Sequence, residues 1–211
     1  APEFKGMATT IVAAAIQDNI LHIAHAGDSR AYLIRDGQAI LLTRDHSWVQ
    51  EALLSGQLDR EEAKSHPNRN VVKRFLGIEE TVDIDYEIRD PTHDLSGGKD
   101  SIESPMVRQI SLDASDVLLL CSDGLSDVVD EADIEKVIRH NSLENATTKL
   151  VNLALKNRTY DNTTVMLIGF KQNAGRRQGY KLKTYLSIST LLLMVLVVVG
   201  IAVSDLYNSN L

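Results

Sequence analysis

Val117-Leu118-Leu119-Leu120-Cys121-Ser122-Asp123-Gly124-Leu125-Ser126-Asp127 is the stretch around which the rest of the chain is arranged. An apolar run too short to cross a membrane ends at an acid followed by glycine. That is how a buried strand brings one carboxylate to the rim of a sheet and then turns away. No lysine, arginine or histidine stands beside Asp123 in sequence. An anion at the mouth of a core needs a partner, and a divalent cation is a natural one. Two more acids sit at similar strand edges: Asp28 in Ala26-Gly27-Asp28-Ser29-Arg30, and Asp161 in Asp161-Asn162-Thr163-Thr164. The expectation is that Asp28, Asp123 and Asp161 converge on one metal site. Each also has a plain reading: Asp123-Gly124 as a simple turn, Asp28 as a turn cap or a partner of Arg30, Asp161 as the start of a strand.

The 211 residues, 44% hydrophobic and 24% charged, suit one globular domain with an appendage. A single cysteine excludes an internal disulfide and a thiolate zinc cluster. Cys121 lies within the apolar run and reads as a small buried core residue. Net charge is −7, yet residues 171–183 hold five basic residues and no acid, which leaves residues 1–170 at −11. So acidic a body repels nucleic acid, and no basic, aromatic-studded face offsets it.

Residues 1–6 carry no pattern and no secretory signal, and read as unstructured or a cloning remnant. Residues 8–16 begin abruptly as buried strand or helix, so an N-terminal portion is expected to precede them. Residues 20–26 read as a strand. Residues 31–35 and 38–42 flank Asp36-Gly37, a hairpin signal, and complete an antiparallel meander. A helical flap is expected over about 45–77, with helices at 48–55, from Asp59 to 64 and at 70–76. Residues 82–89 alternate as a half-exposed strand, and 91–105 form a loop. Strands at 107–112 and 117–122 are joined by a turn at 113–116. A helical turn follows at 125–129, then helices capped by Asp130 and Ser142, the second facing inward through Leu150, Leu153 and Ala154. A last strand covers 163–170. Residues 171–183 form a basic linker. Residues 184–204 match the length of a single transmembrane helix, with tyrosines at 185 and 207 near its ends and a short tail at 205–211. The basic flank lies before the helix, so the positive-inside tendency places the acidic domain in the cytoplasm.

The chemistry available to three carboxylates is that of hard cations, Mg²⁺ or Mn²⁺, which activate water and clamp phosphoryl oxygens. No G-x-S-x-G elbow or nucleophilic cysteine motif competes with it. His22, His25 and His46 suggest zinc, but His22 and His25 fall on opposite strand faces and read as packing residues or as supports behind a site.

Ala8-Thr9-Thr10, Ala26-Gly27-Asp28-Ser29-Arg30-Ala31-Tyr32, Thr43-Arg44-Asp45-His46-Ser47, Leu119-Leu120-Cys121-Ser122-Asp123-Gly124-Leu125 and Asp161-Asn162-Thr163-Thr164 together resemble, over residues 7–170, the bacterial metal-dependent protein serine/threonine phosphatases of type 2C. The resemblance implies an α+β fold: a four-layer α-β-β-α sandwich of two antiparallel sheets flanked by helices, here with the C-terminal transmembrane helix added. It implies Asp123 and Asp161 as ligands of a Mn²⁺ or Mg²⁺ pair, and Asp28 as ligand of a third, weaker ion. Gly124, Asn162 and Ser29 support those acids from behind. It implies phosphoserine and phosphothreonine proteins as substrates, a cognate serine/threonine kinase as partner, and the 45–77 flap as a guard of substrate access. The family's early Asp-Gly-x-Gly-Gly motif, whose aspartate bridges both metals, is absent from the chain. Hydrolysis is therefore expected of a longer parent, and little of this polypeptide alone. The alternative is a membrane-tethered, non-catalytic module that docks a kinase or phosphoprotein.

Overall fold

The computed structural model of the chain describes residues 6–77, 81–94 and 104–170. The strands are β1 (Ile11–Gln17), β2 (Ile20–Ala26), β3 (Arg30–Arg35), β4 (Gln38–Leu41), β5 (Ile88–Arg89), β6 (Met106–Val107), β7 (Ile110–Ser111), β8 (Val117–Cys121) and β9 (Val165–Gly169). The helices are α1 (Trp48–Leu54), α2 (Arg60–Ser65), α3 (Pro91–Asp94), α4 (Asp123–Ser126), α5 (Glu131–Arg139) and α6 (Leu143–Lys156). One antiparallel sheet has the order β1-β2-β7 and a second the order β4-β3-β8-β9; β5 and β6 form a separate pair.

Side-chain alternation along the central strands sorts the core into two compartments. Leu118 and Leu120 of β8, with Ala31 and Leu33 of β3, face Val12, Leu21 and Ile23 of the other sheet. Leu119 and Cys121, with Tyr32 and Ile34, face Ile134, Ile138, Ala146 and Leu150 of α5 and α6. A strand covered on both faces needs apolar residues at every position, which is why β8 reads as a continuous run. Burial pushes the Cys121 thiol up to about 12, so it is an inert core group. Three layers are thus described: the helices α5 and α6, the four-stranded sheet they cover, and the three-stranded sheet packed on its other face.

Several expectations need correction. The first forty residues are not one meander: β2 and β3 lie in different sheets, and the chain crosses between them at residues 27–29. Local alternation does not report which sheet a strand joins, because β3 pairs with β8 more than eighty residues away. The Asp36-Gly37 hairpin is present, with both residues at positive φ, 52° and 78°. The flap contains α1 and α2, the latter with a full capping box between Asp59 and Glu62. Residues 70–76, however, form no helix: a turn ends at Asn70 and isolated bridges follow. Val72 bridges to Ser47 and Leu76 to Thr9, and the adjacent β-branched Val71 and Val72 favour that pairing over a helix. Of residues 82–89 only Ile88–Arg89 form a strand, plus a single bridge from Asp85 to His25. Residues 107–112 break into β6 and β7, and the 113–116 turn links two sheets rather than closing a hairpin. No helix among the described residues is long and apolar enough to cross a membrane, and the basic linker and 184–204 segment lie outside them.

Candidate functional site

The two strongest candidate acids are brought together by one serine. Ser122, the last residue before α4 and 1% exposed, donates from Oγ to Asn162 O at 3.1 Å and accepts from Thr164 N–H at 3.0 Å. Its own N–H donates to Thr164 O. Thr163 Oγ1 donates to Gly124 O at 3.1 Å. The start of α4 is thereby sewn to the loop that holds Asp161. Gly124 makes this approach possible: a Cβ there would lie 2.5 Å from Asn162 O. Each acid also accepts from the next backbone N–H, Gly124 to Asp123 at 2.9 Å and Asn162 to Asp161 at 2.6 Å.

Asp28 arrives from the crossing between the sheets. Gly27 has φ +119°, and a Cβ there would collide with Thr10 at 2.4 Å. Thr10 and Ser29 hydroxyls share a hydrogen bond of 2.9 Å. Arg30 does not pair with Asp28. It grips Asp45 through Nε at 3.0 Å and a terminal nitrogen at 2.7 Å. That leaves Asp28 without a cation, and among the described residues none of Asp28, Asp123 and Asp161 forms an ion pair with lysine or arginine.

The three acids line one cleft of about 600 Å³ with Thr10, Asp127 and Tyr160. Burial, then the Asp123 and Asp45 carboxylates, push Asp28 up to about 7. Burial, then Asp161 and Asp127, raise Asp123. Asp127, raised chiefly by burial, is an acid the sequence reading passed over. Its spacing of four from Asp123, one helical turn, was the available signal. A pocket of mutually repelling carboxylates backed by backbone donors is a donor set that hard divalent cations relieve. The acids are not packed around a single point. Among the described residues the one group of three close enough to share an ion is His25, His46 and Asp85, whose candidate ligand atoms lie within 4.8 Å of one another. His22, as expected, stands apart: it is exposed while His25 is fully buried.

The cleft rim carries Arg69 and Asn70 from the flap, and Arg158 from the loop after α6. Arg158 sits at φ +60° just past the helix C-cap, a position glycine usually takes. Arg158→Gly is expected to raise stability by about 0.5 kcal/mol, the relief of left-handed strain outweighing glycine's greater freedom in the unfolded chain. A shift in the urea midpoint measures it, and a loss of stability contradicts it.

Residues 5–52 match the family model described as protein phosphatase 2C. The chain is 34% identical over 167 residues to the serine/threonine phosphatase stp of Listeria innocua, covering 79% of this chain and 58% of that one. Its fold matches the Streptococcus agalactiae serine/threonine phosphatase with a TM-score of 0.67 at 34% identity, covering 81% of this chain and 62% of that one. It also matches the catalytic domain of the phosphatase PstP, solved in complex with two manganese ions, with a TM-score of 0.60 at 30% identity, covering 79% of this chain and 60% of that one. The chain spans somewhat over half the length of the curated relatives stp and PhpP. Sheet pairing, acid placement and these likenesses agree, and the chain belongs to the protein phosphatase 2C family.

Proposed function

We propose that this chain is part of a phosphatase that hydrolyses phosphoserine and phosphothreonine on proteins with a metal-activated water. The observation that carries the reading is the shared cleft of Asp28, Asp123 and Asp161, all free of lysine or arginine pairing among the described residues. Asp123 and Asp161 would hold the main cations and Asp28 a further one. Mn²⁺ or Mg²⁺ bound there supplies Lewis acidity, which lowers the pKa of a water and draws charge from phosphoryl oxygens. The chain's own residues do the rest. Ser122 and Thr163 fix the two acid loops against each other, Gly124 permits their contact, and the rim arginines offer positive charge to an anionic substrate.

The Asp-Gly-x-Gly-Gly motif is not among the 211 residues. The proposed consequence is weak cation binding and little turnover by this polypeptide. A wholly non-catalytic module is the poorer reading, because all three acids remain oriented to the cleft. We further propose that residues 184–204 anchor the protein in the inner membrane with its folded part in the cytoplasm, near a membrane-bound serine/threonine kinase. The 171–183 basic run supports that orientation.

Titrating Mn²⁺ into the 211-residue chain while following amide line broadening tests the site. Broadening is expected first at residues 28, 123 and 161, and Asp161→Asn should weaken it roughly 10-fold. Earlier broadening at the exposed acids of α2, Glu61 and Glu62, contradicts the reading.

A further inference from the structure

The His25, His46 and Asp85 cluster lies outside the carboxylate cleft, and its spacing invites a second metal site. Ring geometry argues against that. The two imidazoles are stacked with centroids 4.8 Å apart and planes 6° from parallel. An ion in the plane of one ring is out of the plane of the other, where no nitrogen lone pair points. The hydrogen bonds argue against it too. Gly27 N–H donates to His46 Nδ1 at 3.1 Å, so that nitrogen's lone pair is taken and the ring proton sits on Nε2. Nε2 is buried and faces a carboxylate oxygen of Asp85 at 3.5 Å. His25 Nε2 donates to Arg44 O at 3.1 Å, which fixes the second ring.

What the cluster does hold is the peptide before Asp28. We infer that His46 is a positioning residue for the Asp28 carboxylate, clamping Gly27 from both sides through its ring Nδ1 and its backbone N–H. The backbone half of the clamp is His46 N–H to Gly27 O at 2.9 Å. Thr10 closes the third side, since the space beside the Gly27 Cα is filled by its side chain. With Gly27 held at three points, the direction of the following residue is set. Asp28 points into the cleft instead of folding back to Arg30. Behind His46 stands Asp85, itself paired to His25 by two backbone hydrogen bonds of 2.9 and 3.0 Å. Asp85 favours the Nε2–H tautomer, the one that leaves Nδ1 free to accept.

The same residue joins the flap to this loop. His46 O accepts from Lys73 N–H at 2.7 Å, so the two roots of the flap meet on the residue that clamps Gly27. The seating of the flap and the placement of Asp28 thus share one support. The functional value of the clamp rests on Asp28 being a cation ligand, as proposed above; the clamp itself does not.

The test uses the 211-residue chain, with His46→Asn and His46→Gln. Asparagine can present an acceptor oxygen where Nδ1 stood, whereas glutamine carries its acceptor one bond too far. Three readouts are taken: the ring tautomer of His46 from long-range proton–nitrogen correlations, amide exchange of Gly27, and Mn²⁺ broadening near residue 28 against that near 123 and 161. The expected result is an Nε2–H tautomer in the unsubstituted chain and a protected Gly27 amide retained in H46N and lost in H46Q. Mn²⁺ affinity at residue 28 should fall roughly 10- to 100-fold in H46Q, with 123 and 161 little changed. An Nδ1–H tautomer overturns the inference without any variant. So does equal behaviour of H46N and H46Q, or an equal loss at all three acids. If Mn²⁺ broadens none of the three in the unsubstituted chain, the metal reading fails. The clamp is then decided by tautomer and exchange alone.

Discussion

Arg35→Ala is expected to destabilise the fold by about 3–5 kcal/mol, because it strands a buried carboxylate. Asp116 has a side chain with no solvent exposure. Its two oxygens accept from Arg35 Nε at 3.0 Å and from a terminal guanidinium nitrogen at 2.5 Å. The one other donor among the described residues is Asp113 N–H at 2.8 Å. Removing the arginine leaves a desolvated anion with a single hydrogen bond. The reverse change is milder: without Asp116, Arg35 keeps Ser111 O at 2.8 Å and the nearby Asp113 carboxylate at 3.7 Å, and 11% of its side chain meets water. Asp116→Ala should therefore cost less, about 1–3 kcal/mol. The double change Arg35→Met with Asp116→Leu should recover most of the loss, since no buried charge remains. Urea unfolding of the three proteins measures this, and equal losses in the two single variants contradict it. The pair fastens the end of β3 to the turn before β8, at the opposite end of β8 from Asp123. Cation binding in the cleft should change little in any variant that remains folded.

That pair also shows what was legible in the chain and what was not. Elements set by local chemistry were readable: β2 from its apolar run, the hairpin from Asp36-Gly37, α2 from Asp59, α5 from Asp130 and α6 from Ser142. All have their determinant within a few residues. The delivery of Asp123 by a buried strand was readable for the same reason. Sheet membership was not. Nothing near residues 27–29 announces that the chain changes sheets there, since the decision rests on β3 pairing with β8. Residues 70–76 show the converse error: a helix-compatible segment is drawn into isolated bridges by partners at Ser47 and Thr9. In the site, Asp28, Asp123 and Asp161 were identifiable because each follows or precedes an apolar strand. Asp85 was not, because its relation to His25 and His46 exists only through a single bridge across the sheets. Whether Asp28 caps a turn or pairs with Arg30 was likewise open in sequence, and the structure gives Arg30 to Asp45 instead.

As pH falls from 8 to about 5, the metal-free unsubstituted chain should gain stability relative to Asp28→Asn, against the direction of ordinary acid denaturation. His25 and His46, both lowered chiefly by burial, lose stability as pH falls below about 6.5 in both proteins, so they cancel in that difference. Burial and the facing Asp123 carboxylate hold Asp28 at about 7, against an ordinary value of 3.8. In the unfolded chain the group ionises near 3.8, whereas in the folded chain it keeps its proton until near 7. Between those values the folded state binds more protons, so stability falls as pH rises, and the loss is complete above about 7. At full strength such a displacement corresponds to about 4 kcal/mol, and water at the cleft mouth reduces the expected figure to about 2 kcal/mol. Asp123, raised chiefly by burial, adds to the slope in the same direction. Divalent cations invert the effect, because they favour the ionised acids and displace the protons. Mn²⁺ should then stabilise the chain more at pH 8 than at pH 5.5, with proton release on binding near neutrality. Melting temperatures in chelator across this range, for the unsubstituted chain and Asp28→Asn, decide the matter. A difference between the unsubstituted chain and Asp28→Asn that does not change with pH removes the electrostatic basis for reading the cleft as a cation site. A persistent fall in Asp28→Asn moves its source to Asp123 and Asp127, the two other raised acids of the same wall.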